Sequence, residues 1–225
     1  MPYSGGSSTA SGVEYQNWFL ALQVAYSFFE KDRVIFPEVF TDNTNIIDDI
    51  KIVQGKQSTY YNVKHRSPAE SLHWNLAQLT SQNVVKHIKQ QFEANPNANI
   101  VFVSESNCYL ITEVFMRATN ANSPMDIDMA LESQRCIQLW EQAREAFDYD
   151  DFRLLALARK TTMRSVPLYE IKKLIEHRFI TLGNHMAVSD LFFTKCVQCS
   201  ANKTRIDKEN INLWLSENGI SFNLR

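Results

Sequence analysis

Asp49, Asn62 and Lys64 are the residues of this 225-residue chain whose types and spacing best suit chemistry. They lie in one stretch from Asn45 to Arg66, NIIDDIKIVQGKQSTYYNVKHR. A carboxylate on one strand, with an amide and a lysine two residues apart on its neighbour, makes an oxygen-rich set for a hard divalent cation such as Mg²⁺ or Mn²⁺. A cation held there polarises a phosphodiester and lowers the pKa of a bound water. A lysine beside it orients that water or steadies charge on the reacting phosphate. The bland alternative is a solvated hairpin face, because acid pairs and alternating strands that end in lysine are common.

The elements that must position these groups are two strands and a turn. Asn45 to Val53 is rich in Ile and Val, and Gln54 to Ser58 is polar around Gly55, so the chain can reverse there. Thr59 to His65 alternates, with Tyr60, Asn62 and Lys64 on one face and Tyr61, Val63 and His65 on the other. Register decides whether Asp48 or Asp49 joins the site. Asp48 shares its face with Ile46, Ile50 and Ile52, whereas Asp49 sits with Ile47, Lys51 and Val53, a less uniformly apolar surface. Asp49 is therefore the better candidate.

Around the hairpin the chain reads as an α/β core. Residues 1–12 are Ser- and Gly-rich and read as a disordered tail. Val13 to Lys31 is helical and apolar nearly all round, as in a helix buried against a sheet. Glu14 shares a side with Trp18, Ala21 and Ala25. It is either an exposed first-turn acid or an additional metal ligand. Val34 to Phe40 is a short strand that Pro37 confines to an edge, with Glu38 near its end. Ser67 to Glu70 has a capping-box pattern for a helix that runs to about Ala94, broken near Thr80 and Ser81. Asn99 to Ser104 is a continuous apolar run, the mark of a buried and parallel strand.

Helical signals then dominate. Met125 to Phe147, Asp151 to Arg164, Leu168 to Ile180 and Asp207 to Glu217 all read as helices. The expected division is a core at 13–122 and a helical extension of the same domain at 123–225.

With 44% hydrophobic residues the chain can bury a substantial core, and its formal charge of −2 supplies no global pull toward nucleic acid. Any such binding must come from a local patch. The most basic run comprises Arg153, Arg159, Lys160, Arg164, Lys172, Lys173 and Arg178. It reads equally well as a phosphate track or as the solvated face of two helices. No apolar segment approaches membrane-spanning length, and four cysteines in a chain this large suit reduced thiols in the cytoplasm. Cys196 and Cys199 have the spacing of half a zinc site, which His177 and His185 could complete, but no second cysteine pair accompanies them. No P-loop, Rossmann glycine pattern, nucleophile elbow or HExxH motif is present.

A further pattern links these pieces. Gly12-Val13-Glu14-Tyr15-Gln16 opens the first helix, Glu38 follows near a strand end, and then come Asp48-Asp49-Ile50 and Tyr60-Tyr61-Asn62-Val63-Lys64. In that order they resemble the restriction-endonuclease-like PD-(D/E)xK nucleases. The resemblance is to the N-terminal nuclease domain of CBASS effector endonucleases with SAVED-type sensors, and to similar domains that head STAND-type NTPases of antiphage defence.

The resemblance implies a restriction-endonuclease-like mixed sheet flanked by helices, and Mg²⁺-dependent hydrolysis of double-stranded DNA. Asp49 becomes the metal-binding acid, Asn62 the middle ligand, Lys64 the catalytic lysine, and Glu14 or Glu38 a source of further negative charge. It also implies that sensing and oligomerisation lie beyond Arg225. One departure matters: the middle position is usually Glu, Asp or Gln, and Asn62 is shorter than Gln and uncharged. A catalytically inactive module for DNA binding or assembly is therefore the rival expectation, and an RNase on the same scaffold a third.

Overall fold

The structure is a computed structural model that describes residues 5–39, 44–47, 49–66, 73–180 and 185–220. Five strands form its main sheet. β1 (Arg33–Pro37), β2 (Ile50–Gln54) and β3 (Gln57–Val63) form an antiparallel meander. β5 (Asn99–Ser104) then adds parallel to β3, and β7 (Thr161–Ser165) parallel to β5. A short parallel pair, β4 (His73–Trp74) with β6 (Asn107–Cys108), stands apart from it. The sheet order β1-β2-β3-β5-β7 places the strand that ends in Pro37 at an edge, where a residue without an N–H costs no ladder bond. This is the expected mixed sheet flanked by helices.

Strand alternation assigns each face its own core. Tyr60, Ile100 and Phe102 point to one side. There they meet α2 (Leu76–Ser81), α3 (Val84–Ala94), a π-helix (Leu110–Phe115) with its continuation α4 (Met116–Ala118), α5 (Ile127–Leu131), α6 (Gln134–Phe147) and α7 (Asp151–Ala158). Tyr61, Val63, Val101 and Val103 point to the other side. They meet α1 (Gly5–Phe29), α8 (Leu168–Arg178), α9 (His185–Asn202) and α10 (Lys208–Glu217). The buried all-round helix α1 is explained by this position, packed on the sheet and on α8 and α9 together.

Several expectations change. The first helix begins at Gly5, so residues 5–12 are helical rather than a tail. The Ser67–Glu70 capping box lies outside the described residues. The described helix α2 instead opens on Asn75, whose side chain accepts from Gln78 N while Gln78 reaches back to Asn75 N.

The expected Met125–Phe147 helix is interrupted at Glu132, whose φ of 61° is left-handed, and restarts on the cap Ser133. The expected Asp151–Arg164 helix ends at Ala158, and Thr161–Ser165 forms the fifth sheet strand. The second half is thus built into the sheet and covers both of its faces.

Gln91, on α3, holds the approach to the candidate site. Its buried side chain accepts from Ile46 N at 2.8 Å and Ile47 N at 3.1 Å, and donates to Thr44 O at 3.0 Å. Removing it orphans two main-chain donors. Gln91→Leu should therefore destabilise the fold by about 2 kcal/mol, read as an earlier urea midpoint with an unchanged slope. An unmoved midpoint would show that the clamp contributes nothing.

Candidate active site

The hairpin register settles which groups converge. The β2–β3 ladder ends at Ile50 paired with Tyr61, so Asp49 and Asn62 are the next residue along each chain. Asp49 is largely buried, and its Oδ2 accepts from Val63 N at 2.8 Å. Lys64 Nζ lies 3.7 Å from that oxygen, an ion pair longer than a direct hydrogen bond, with the ammonium still partly open to solvent. The strand does not splay at this point, because Lys64 N donates to Val103 O at 2.8 Å. Asp48 lies outside the described residues.

Asn62 is the unusual member. It is fully buried, and neither its Oδ1 nor its Nδ2 has a hydrogen-bond partner among the described residues. A buried amide without partners is costly, and natural interiors rarely hold one without a reason. An oxygen-seeking cation beside Asp49 is such a reason, and the donor set of one carboxylate and one carbonyl oxygen fits Mg²⁺ or Mn²⁺.

Glu38 meets Asp49 through the main chain. Glu38 N donates to Asp49 O at 3.0 Å, and the side-chain amide of Gln16 donates to the Glu38 carboxylate. Its φ of 47° is a left-handed conformation that a non-glycine residue holds only under surrounding constraint. Glu14 is exposed on α1. A helix advances about 100° per residue, so Glu14 and Gln16 point in opposite directions. Glu14 instead precedes Trp18 by one turn, and that ring stacks on Phe193 of α9 with centroids 4.3 Å apart.

The remaining groups support the site. Tyr15 is buried and its hydroxyl donates to Val166 O at 2.9 Å, which ties the first helix to the end of β7. Burial pushes that phenol well above its ordinary pKa, so it serves as a fixed donor. His65 Nε2 lies 3.7 Å from Glu105 Oε2, and Glu105 Oε1 accepts from Leu168 N at 2.6 Å. Gln16 and Tyr15 were legible in the Gly-x-x-Tyr-Gln motif. Gln91 carried no local signal.

Other candidates disperse. The basic run is divided by the sheet, with Arg153 on α7 paired to Glu93 and Arg178 on α8 lying 4.0 Å from the Tyr26 ring centroid. All four cysteines are buried free thiols, and burial raises Cys108 to about 11 and Cys196 well above its usual value. No group of three or more His, Cys, Asp or Glu side chains suited to a metal occurs among the described residues, so Cys196 and Cys199 form no zinc site there.

The sequence matches no family model, and no curated protein is similar to it. Among solved structures the fold is similar to the Cap4 SAVED/CARF-domain containing receptor of Acinetobacter baumannii with the cyclic trinucleotide 2'3'3'-cAAA. The TM-score there is 0.58 at 12% identity, over 92% of this chain and 46% of that one. It is also similar to the Cap4 SAVED/CARF-domain containing receptor of Moraxella osloensis, with a TM-score of 0.58 and 12% identity, over 92% of this chain and 47% of that one. The chain therefore spans less than half the length of these receptors, and at such identity the likeness is one of fold.

Proposed function

We propose that this chain is a metal-dependent endonuclease domain that hydrolyses phosphodiester bonds of double-stranded DNA, acting in the cytoplasm as an effector of bacterial antiphage defence. The observation that carries the reading is the fully buried Asn62 amide, without a hydrogen-bond partner among the described residues, next in the chain to Val63, whose N–H holds the Asp49 carboxylate, with Lys64 Nζ 3.7 Å from that carboxylate. Asp49 and Asn62 would hold Mg²⁺ or Mn²⁺, whose chemistry is to polarise the phosphate and acidify a water.

The protein's own groups do the rest. Val63 N fixes one Asp49 oxygen, so the carboxylate is oriented before any ligand arrives. Lys64 presents its ammonium to a non-bridging phosphate oxygen and steadies the charge that grows there. Glu38, held by Gln16, adds negative charge that the neutral Asn62 does not supply.

The fold likeness to the Cap4 receptors supports the defence setting. Sensing and oligomerisation are assigned to parts of a longer protein outside this chain. No helix among the described residues is long and apolar enough to cross a membrane.

The missing charge at Asn62 favours one rival, a non-catalytic module of the same fold for DNA binding or assembly. Supercoiled plasmid incubated with the purified chain separates the two. Nicking and linearisation with Mg²⁺, absent with EDTA, are expected. Cutting that persists in EDTA would sink the metal mechanism. Intact plasmid together with a melting temperature indifferent to Mg²⁺ and Mn²⁺ would leave the module reading.

A further inference from the structure

A second concave site lies on the same sheet face as Asn62. Phe102 is the cross-strand neighbour of Asn62, Trp74 packs edge-on against Phe102 with centroids 5.5 Å apart, and Trp74 Nε1 donates to Ser104 Oγ at 3.0 Å. Arg66, two residues past Lys64, lays its guanidinium over the Trp74 ring at 4.9 Å. Beyond Trp74 opens a cavity of about 600 Å³ whose walls include His73, Trp74, Tyr109, Leu110, Arg135 and Gln142. Tyr109 stands at the entry to the π-helix, a feature that often marks functional positions, and Arg135 stacks over its ring at 4.4 Å.

The chemistry of this cavity is specific. Its walls offer an aromatic ring and a guanidinium plane for stacking, an amide on Gln142 for a base edge, and no carboxylate among the described residues. Bases displayed outside a duplex are held by aromatic and arginine planes with hydrogen bonds to their edges. Arg66 and Arg135 are both positive, as a ligand carrying phosphates requires. We infer that this cavity binds an unpaired nucleobase of the substrate strand, next to the phosphate that Lys64 engages. The inference rests on the nuclease reading and names a substrate feature for it: a distorted or locally unpaired duplex is preferred over a perfect one.

The test uses the Lys64→Ala chain with Mg²⁺, so that bound DNA is not consumed, and fluorescence anisotropy with two labelled duplexes. One is fully paired, and the other carries a single bulged 2-aminopurine. Stacking of one base predicts about tenfold tighter binding of the bulged duplex, and the 2-aminopurine emission should change on binding. Arg135→Ala, at an exposed position that the fold tolerates, should bring the ratio to about one. Tyr109→Leu should do the same. Equal affinity for the two duplexes, or a preference that survives both substitutions, overturns the pocket and leaves the nuclease reading standing. Binding of neither duplex overturns both.

Discussion

Plasmid cleavage by the Lys64→Ala chain should fall by about 10²–10³-fold, the loss typical when one preorganised donor to a developing oxyanion is removed. The same change should move the melting temperature by no more than about 3 °C, because a partly exposed ion pair contributes at most about 1 kcal/mol to stability. Lys64 is partly open to solvent and 3.7 Å from Asp49 Oδ2, so its removal strands no buried donor and leaves the Val63 N to Asp49 bond in place. The contrast between a large loss of rate and an unmoved fold is what marks a group acting on the reaction. Equal fractional losses in rate and in folded protein would make Lys64 a structural residue. Cleavage that survives intact would put the chemistry elsewhere.

Asn62→Asp should give the second large effect, and its sign should depend on metal. Asp is nearly isosteric with Asn, but here it places a carboxylate in a fully buried position, where Asn62 already lacks partners among the described residues. An uncompensated buried charge costs about 3–5 kcal/mol. For a chain of this size that lowers the melting temperature by roughly 10 °C. A divalent cation that binds only the folded form restores stability in proportion to the logarithm of its concentration over its Kd. Millimolar Mg²⁺ or Mn²⁺ should therefore recover most of the loss, and Asp at this position should cut at lower metal concentration than Asn. A loss that neither cation relieves would mean that position 62 does not face a cation, and Asn62 would then be an unpaired amide retained without a ligand.

Several parts of this architecture were decided locally and could be read directly. Period-two alternation sent Tyr60 and Asn62 to one face and Tyr61 and Val63 to the other, and these faces became two separate cores. Pro37 marked an edge strand because it has no N–H for a ladder. The unbroken apolar run Asn99–Ser104 marked a strand buried on both sides, and it pairs in parallel with β3 and β7. The spacing that brings Asn62 and Lys64 together is likewise a property of one strand.

Tertiary structure decided what depends on distant partners. Thr161–Ser165 continues a leucine-rich helical pattern, yet it is a strand because β5 offers it an open edge, with Ile100 paired to Thr161. That Gln16 reaches Glu38 while Trp18 stacks on Phe193 turns on how α1 is rotated against the sheet and α9, which no window of sequence contains. Gln91 clamps Ile46 and Ile47 from more than forty residues away, so its role is invisible until α3 docks. The basic run from Arg153 to Arg178 looked continuous along the chain. Its two helices lie on opposite faces of the sheet, because β7 carries the backbone across between them. Hydrogen-bonding period and apolar pattern act within a few residues and are written in the sequence, whereas long-range packing fixes helix rotation, sheet edges and the company each charge keeps.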